Sequence, residues 1–255
     1  MAEETDQQNT RDKEMSIWGH LEELRWIVLR SVIGIVLGII ICLIFSDFIV
    51  QEIILAPALK TNPPLRLSTT EVFGELSFYM QVAIWGGVIL SFPYTITQLW
   101  KFIEPALFDK EKKYVRQISF FTVFSFLCGM AFAYFVMLPM MLTFAAEFGS
   151  ETIMNIPDVN KYLSIFLMIV IISGLIFELP LIAFFLGRLG ILTPAFLRHY
   201  RRHTLVALLI VAAILSPGGN PVLQVILFVP LWALYEISIM TSALATRKRN
   251  AQLNS

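Results

Sequence analysis

The stretch "RRHTLVALLIVAAILSPGGNPVLQ" (Arg201–Gln224) decides how often the chain crosses a membrane. Between His203 and Pro217 lie 13 uncharged residues; at 1.5 Å per residue these make a helix of about 20 Å. A hydrocarbon core of about 30 Å asks for about 20 residues. The run is therefore short for a crossing. "SPGGNP" (Ser216–Pro221) reads as a tight turn, and a second apolar run, Val222–Met240, follows it. If both runs cross, they form a membrane hairpin. The first then fits by extending through the basic "RHYRRH" (Arg198–His203), or by sitting where the bilayer thins.

The rest of the chain settles the count. It is 255 residues long, 57% hydrophobic, 13% aromatic and 15% charged, with a mean hydropathy of +0.73. Soluble domains run near 45–50% apolar and about 25% charged, and here the apolar residues come in blocks. Those blocks read as Trp26–Phe45, Leu76–Trp100, Ile118–Phe144, Tyr162–Leu186, Thr204–Ser216 and Val222–Met240. Of the 19 Lys and Arg residues, 16 fall in the N-terminal region, the second and fourth connections and the C-terminal tail. Only Lys60, Arg66 and Lys161 fall on the other side. Basic residues mark the cytoplasmic face, so both termini belong there and the number of spans must be even. Six satisfies it. The fold class expected is all-α and polytopic, with a disordered cytoplasmic tail over residues 1–15, a six-helix transmembrane domain over 16–240 and a cytoplasmic tail over 241–255.

The first 15 residues carry five acids and two bases, without the basic start or cleavage site of a secretory signal. Cys42 and Cys128 lie in apolar blocks and suggest neither redox nor zinc chemistry. Gly34 and Gly38 form a G-x-x-x-G that would let two helices approach closely. Pro93, Pro139, Pro180 and Pro230 fall inside spans, where each removes a backbone donor and can kink a helix. Kinked helices suit a curved bundle.

Nothing in the sequence suggests an enzyme, a metal centre or a cofactor, since the familiar catalytic and nucleotide-binding motifs are absent. His199 and His203 stand four apart, but Arg198, Arg201 and Arg202 surround them and would repel a cation. The acids are more informative. In "SIWGHLEELRWIVLR" (Ser16–Arg30), Glu22 has Arg25 three residues on, whereas Glu23 has no Lys or Arg at helical spacing and faces away from the apolar stripe. In "WKFIEPALFDKEKKYVRQ" (Trp100–Gln117), Asp109 reads as an N-cap and Glu111 as an acid in the first turn after it. In "LIFELPLIAFF" (Leu175–Phe185), Glu178 lies inside the hydrocarbon, where a charge costs about 2.5–3.5 kcal/mol on insertion scales. Pro180 lacks an N–H, so the carbonyl of Ile176 should lose its helical partner and open a polar gap.

Taken together, several segments resemble the TatC family, the multi-spanning receptor subunit of the twin-arginine protein translocase. They are "HLEELR" (His20–Arg25), "APAL" (Ala56–Leu59), "FPYTITQLWKFIEPAL" (Phe92–Leu107) with "KEKK" after it, "GMAFAYFVMLP" (Gly129–Pro139), "YLSIFL" (Tyr162–Leu167) and "FELP" (Phe177–Pro180). The resemblance implies a glove-like curve of six helices with a short fifth and sixth. It also implies a receptor for signal peptides of folded cargo that carry paired arginines, in the inner membrane of a prokaryote. Export would be driven by the proton-motive force. Small single-span subunits of the TatA and TatB type would be partners in an oligomeric complex within the lipid bilayer, with no nucleic acid involved. By the same resemblance, signal-peptide contacts fall on Glu23, Arg25, Phe102 and Glu111. An intramembrane acid that docks partners falls on Glu178, and a polar contact to partner helices on Gln224. The turn before the last helix departs from the family pattern, carrying Asn220 and no acid.

A different class, a proton-coupled transporter using Glu178, would place its site between helices near the midplane. A membrane scaffold would leave Glu178 unexplained. Acids at the cytoplasmic face favour the receptor, because bidentate guanidinium recognition requires carboxylates there.

Overall fold

The computed structural model describes residues 17–62, 64–104, 115–147, 157–216 and 221–253. Among the described residues all regular structure is helical, with one isolated bridge between Ser68 and Asp158. Besides short helical turns at Ser46–Phe48 and Ala56–Leu59, the α-helices among the described residues are α1 (Ile17–Ile44), α2 (Gly74–Ile103), α3 (Val115–Phe132), α4 (Leu138–Glu147), α5 (Val159–Phe177), α6 (Leu179–Leu189), α7 (Pro194–His199), α8 (Arg201–Leu215) and α9 (Pro221–Leu253). Among the described residues five segments are long and apolar enough to cross a membrane: Leu21–Ile44, Gly74–Ile103, Gln117–Ala146, Val159–Leu189 and Gln224–Arg247. The outward faces are apolar as well. Along α1 alone Val28, Val32, Val36 and Ile40 are about half exposed, as expected where the solvent is lipid.

Glycine sets the closest helix contacts. A Cβ on Gly38 would lie 2.6 Å from the carbonyl oxygen of Gly87, and one on Gly34 would lie 2.8 Å from the Tyr94 ring. The G-x-x-x-G of α1 is thus spent on α2, backbone against backbone. A second contact of this kind joins α3 to α5, where a Cβ on Gly129 would lie 2.8 Å from the Cα of Gly174. There the Ser173 hydroxyl donates to the Gly129 carbonyl at 3.0 Å. Without a hydrophobic drive between helices in lipid, such small-residue contacts and interhelical hydrogen bonds provide the association.

Prolines shape the rest. Two π-turns, Ile49–Leu55 and Ala133–Met137, directly precede the segments holding Pro57 and Pro139. Each proline removes one donor from the α ladder, and a wider turn re-registers the hydrogen bonds. Pro93 and Pro230 are carried inside α2 and α9 without a break. At Pro180 the helix does break, into α5 and α6 around Glu178.

The opening stretch folds as two helices of unequal length. α8 has 15 residues, which span about 22 Å. It begins at Arg201, so its basic start does belong to the helix. The extension through "RHYRRH" is interrupted at Tyr200, however, with α7 ending at His199. The last helix is not short: α9 runs for 33 residues to Leu253. "TSALATRKRNAQL" is rich in good helix formers and holds no glycine or proline to stop it. Residues 241–253, expected as a tail, therefore continue α9. The expected N-terminal tail, Asp109, Glu111, the "KEKK" segment and the glycine turn at 217–220 lie outside the described residues.

Candidate functional site

The site is best located by level along the bundle, and two antiparallel pairings fix the levels. Between α2 and α3, the Trp100 indole donates to the Thr122 hydroxyl at 3.2 Å, and Phe92 stacks on Phe126 with centroids 3.7 Å apart. Trp100 also meets Phe185 of α6 edge-on at 4.9 Å. Between α1 and α2, the Gly38–Gly87 and Gly34–Tyr94 contacts set the register. Carried along both helices, that register brings Glu23 and Arg25 to the level of Phe102. Glu23 and Phe102 are half-buried there and Arg25 is exposed. Three of the four residues assigned to peptide binding therefore share one end of the α1–α2 pair; the fourth, Glu111, lies outside the described residues.

Glu178 sits deeper. Its side chain is only 6% exposed and lies beside the Phe126 backbone, inside a junction built from backbone repairs. The Ser125 hydroxyl donates to the Phe177 carbonyl at 2.6 Å, and the Thr241 hydroxyl of α9 donates to the Pro180 carbonyl at 2.9 Å. The gap expected at Ile176 is not left open. The Glu178 amide turns back onto the carbonyls of Leu175 and Ile176, and the regular ladder resumes with the Ile182 amide on the Glu178 carbonyl at 2.9 Å. The backbone is thus largely satisfied at the break while one carboxylate oxygen is not. Among the described residues Glu178 Oε1 is buried with no hydrogen-bond partner.

On α2 two polar atoms share that condition, Thr95 Oγ1 and Gln98 Oε1. The α2–α3 pairing puts Thr95 at the level of Ser125 and Phe126, hence of Glu178, with Gln98 one turn nearer the Phe102 end. Buried polar groups are nearly always paired, so three unpaired ones in one stretch of a bundle mark an incomplete surface. Reading the sequence by charge missed Thr95 and Gln98. The signal available was two polar residues at i, i+3 within an apolar window.

Gln224 is engaged differently. Its side-chain amide donates to the Leu209 carbonyl at 3.1 Å and ties α9 to α8. The exposed basic stretch is held by Tyr235, whose hydroxyl donates to the Leu197 carbonyl at 2.6 Å, and by an Arg201–Glu236 ion pair. His199 and His203 pack on the Tyr200 ring at 5.2 and 5.5 Å.

Comparison with known proteins follows the same lines as the geometry. The family model described as "Sec-independent protein translocase protein (TatC)" matches residues 19–230. The chain belongs to the TatC family. The TatC protein of Aquifex aeolicus is 34% identical over 237 residues, covering 92% of this chain and 98% of that one. The TatCy protein of Bacillus subtilis is 32% identical over 237 residues, covering 92% and 91%. Among solved structures, the crystal structure of the twin arginine translocase receptor TatC superposes with a TM-score of 0.79 at 34% identity, covering 89% of this chain and all of that one. As a TatC protein, the chain is a component of a Sec-independent protein translocase, with several helices able to cross a bacterial membrane.

Proposed function

We propose that this TatC chain is the receptor of its translocase and binds signal peptides carrying paired arginines. Glu23 and Glu111 accept the guanidinium groups, and Arg25 and Phe102 complete the contact. The observation that carries this reading is the separation of levels. The register of α1 on α2 gathers Glu23, Arg25 and Phe102 at one end, while Thr95 and Glu178 lie about 10 Å further in, seven residues of α2 at 1.5 Å each, with Gln98 one turn short of them. A carboxylate at a polar boundary can take a guanidinium in bidentate fashion at tolerable desolvation cost. One enclosed by hydrocarbon suits a polar group carried in on a partner helix. Glu178 and Gln224 therefore serve docking of small single-span subunits in an oligomeric complex, and the proton-motive force drives passage of folded cargo. In this reading α8 counts as a sixth, short span, the helices curve like a glove, and both termini face the cytoplasm of a prokaryotic inner membrane. Membership in a translocase family disfavours the transporter alternative based on Glu178.

Peptide binding to the purified protein in nanodiscs tests the assignment. A paired-arginine peptide should bind, its paired-lysine counterpart should bind at least about tenfold more weakly because ammonium cannot pair bidentately, and Glu23→Gln with Glu111→Gln should remove the difference. Unchanged affinity in that double variant would sink the site assignment, and equal binding of the lysine peptide would sink the receptor reading. Glu178→Ala should leave this binding intact while weakening cross-linking to the single-span subunits.

A further inference from the structure

Two adjoining cavities lie at the other end of the bundle. The larger, of 560 Å³, is bounded by α1, the Ile49–Leu55 π-turn, α2, α3 and α5, with Ile53, Gly86, Ala131 and Val170 in its wall. Among the described residues its only lining side chains with an N–H, O–H or S–H donor are Cys42 and Tyr134. The smaller, of 280 Å³, is lined by Lys60, Thr61, Thr143 and two prolines, and it shares Tyr134 and Phe135 with the larger. Both shared residues belong to the π-turn that precedes Pro139, and wide turns of this kind recur at functional sites. Following the chain from Leu127 through Phe135 to Thr143, the apolar cavity comes first and the Lys60 cavity lies beyond it, toward the membrane boundary.

We propose that the two cavities hold one phospholipid, its acyl chain in the apolar cavity and its phosphate at Lys60. Size and chemistry select this occupant. The larger volume lies within the range of about 300–1,000 Å³ typical of ligand pockets. A helix 10 Å across needs about 850 Å³ for only two turns, so a helical segment does not fit. An extended peptide would bring N–H and C=O groups against a wall that offers them almost no partners, at several kcal/mol each. An acyl chain brings none. At the boundary Thr61 is already committed, donating to the Ala58 carbonyl at 2.8 Å and accepting from the Leu65 amide at 3.1 Å. Lys60 is exposed and has no ion-pair partner among the described residues. The Tyr134 hydroxyl, without a hydrogen bond among the described residues, stands where the two cavities meet. In the orientation proposed above, the lipid belongs to the outer leaflet.

The experiment uses the full chain in nanodiscs of equal phosphatidylglycerol and phosphatidylcholine, with a small fraction of either lipid carrying a photoactivatable acyl chain. Labelling should concentrate on peptides containing Ile41–Phe45 and Leu127–Phe135, above the level on the lipid-exposed Val28–Val36 face of α1. Ala131→Trp, which fills the cavity from an exposed position, should abolish the excess. Lys60→Gln, remote from the packed core, should leave acyl labelling in place and lower the preference for the anionic lipid about fivefold, the worth of one boundary cation. Uniform labelling of both regions would overturn the acyl site, and an unchanged lipid preference in Lys60→Gln would overturn the headgroup assignment. Displacement of the labelled lipid by an apolar peptide, with no lipid retained on native mass spectrometry, would assign the cavity to a peptide instead.

Discussion

Substituting Gly38 by alanine tests the register on which the proposed receptor face depends. The added Cβ would lie 2.6 Å from the Gly87 carbonyl oxygen and 3.2 Å from the Gly87 Cα. Ordinary van der Waals contact begins at 3.4 Å, and the obstruction is backbone, which cannot rotate aside. The helices must therefore part by about 1 Å, an overpacking strain of about 1–3 kcal/mol. Some of this is offset by the better helix propensity of alanine. Thermal unfolding in detergent, followed by tryptophan fluorescence, should show a melting point lower by about 2–10 °C. Because this contact, with that of Gly34 on Tyr94, holds Glu23 at the level of Phe102, paired-arginine peptide affinity should also fall, by about tenfold or about 1.4 kcal/mol. Gly19→Ala is the matched control, since no atom lies within 4 Å of a Cβ there, and it should match or exceed the native melting point. Native melting and native peptide affinity in Gly38→Ala would refute the reasoning.

Two further predictions concern polar joints. Ser125→Ala removes the 2.6 Å bond to the Phe177 carbonyl at the α5–α6 break; we predict a loss of about 0.6–1.7 kcal/mol, the range for interhelical hydrogen bonds in membranes, with Ser125→Thr recovering part of it in the same unfolding assay. Asp158 caps α5, and the Thr70 hydroxyl and the amides of Thr70, Lys161 and Asn160 hold its carboxyl below the usual carboxylate range. A lowered folded-state pKa contributes stability above the unfolded value that is lost as pH falls through the folded one. The native protein should therefore melt higher than Asp158→Asn at neutral pH, and the gap should close below about pH 4; a gap that persists or widens in acid would contradict the sign.

Much of the fold was legible because lipid imposes a simple rule, that apolar length reports spans. Five of the six blocks expected from hydropathy coincide, within a few residues at most ends, with segments able to cross a membrane; the main exception is the extension of the last helix beyond Met240. What the sequence hid is what depends on pairing between distant segments. Gly34 and Gly38 could be recognised as a contact surface, but not that their partners are Tyr94 and Gly87. Pro180 announced a break, yet which carbonyl would be rescued, and by Ser125 and Thr241, is a tertiary matter. Thr95 and Gln98 were unremarkable as single polar residues and became informative only when burial left them without partners beside Glu178. Helix ends were hidden for another reason: a charged stretch such as "TRKRNAQL" is equally compatible with a solvated tail and with a helix, and α9 took the second course.

The six-span reading proposed above has a mechanical consequence at α8. α8 covers about 22 Å against a hydrocarbon thickness of about 30 Å, while its neighbour α9 is more than twice as long. Gln224, in the first turn of α9, is tied to Leu209, midway along α8, so the two helices cannot slide past each other to share the mismatch. At the other end Arg201 is paired with Glu236 and Tyr235 is bonded to the Leu197 carbonyl. With α8 pinned at both levels, the shortfall cannot be relieved within the protein. With α8 as the proposed sixth span, the bilayer next to it must thin, or polar headgroups must follow the helix inward, each at a fraction of a kcal/mol per Å. Any thinning is therefore local to the α8–α9 hairpin, and a partner helix docking there would meet a shorter hydrocarbon path than it does elsewhere around the molecule.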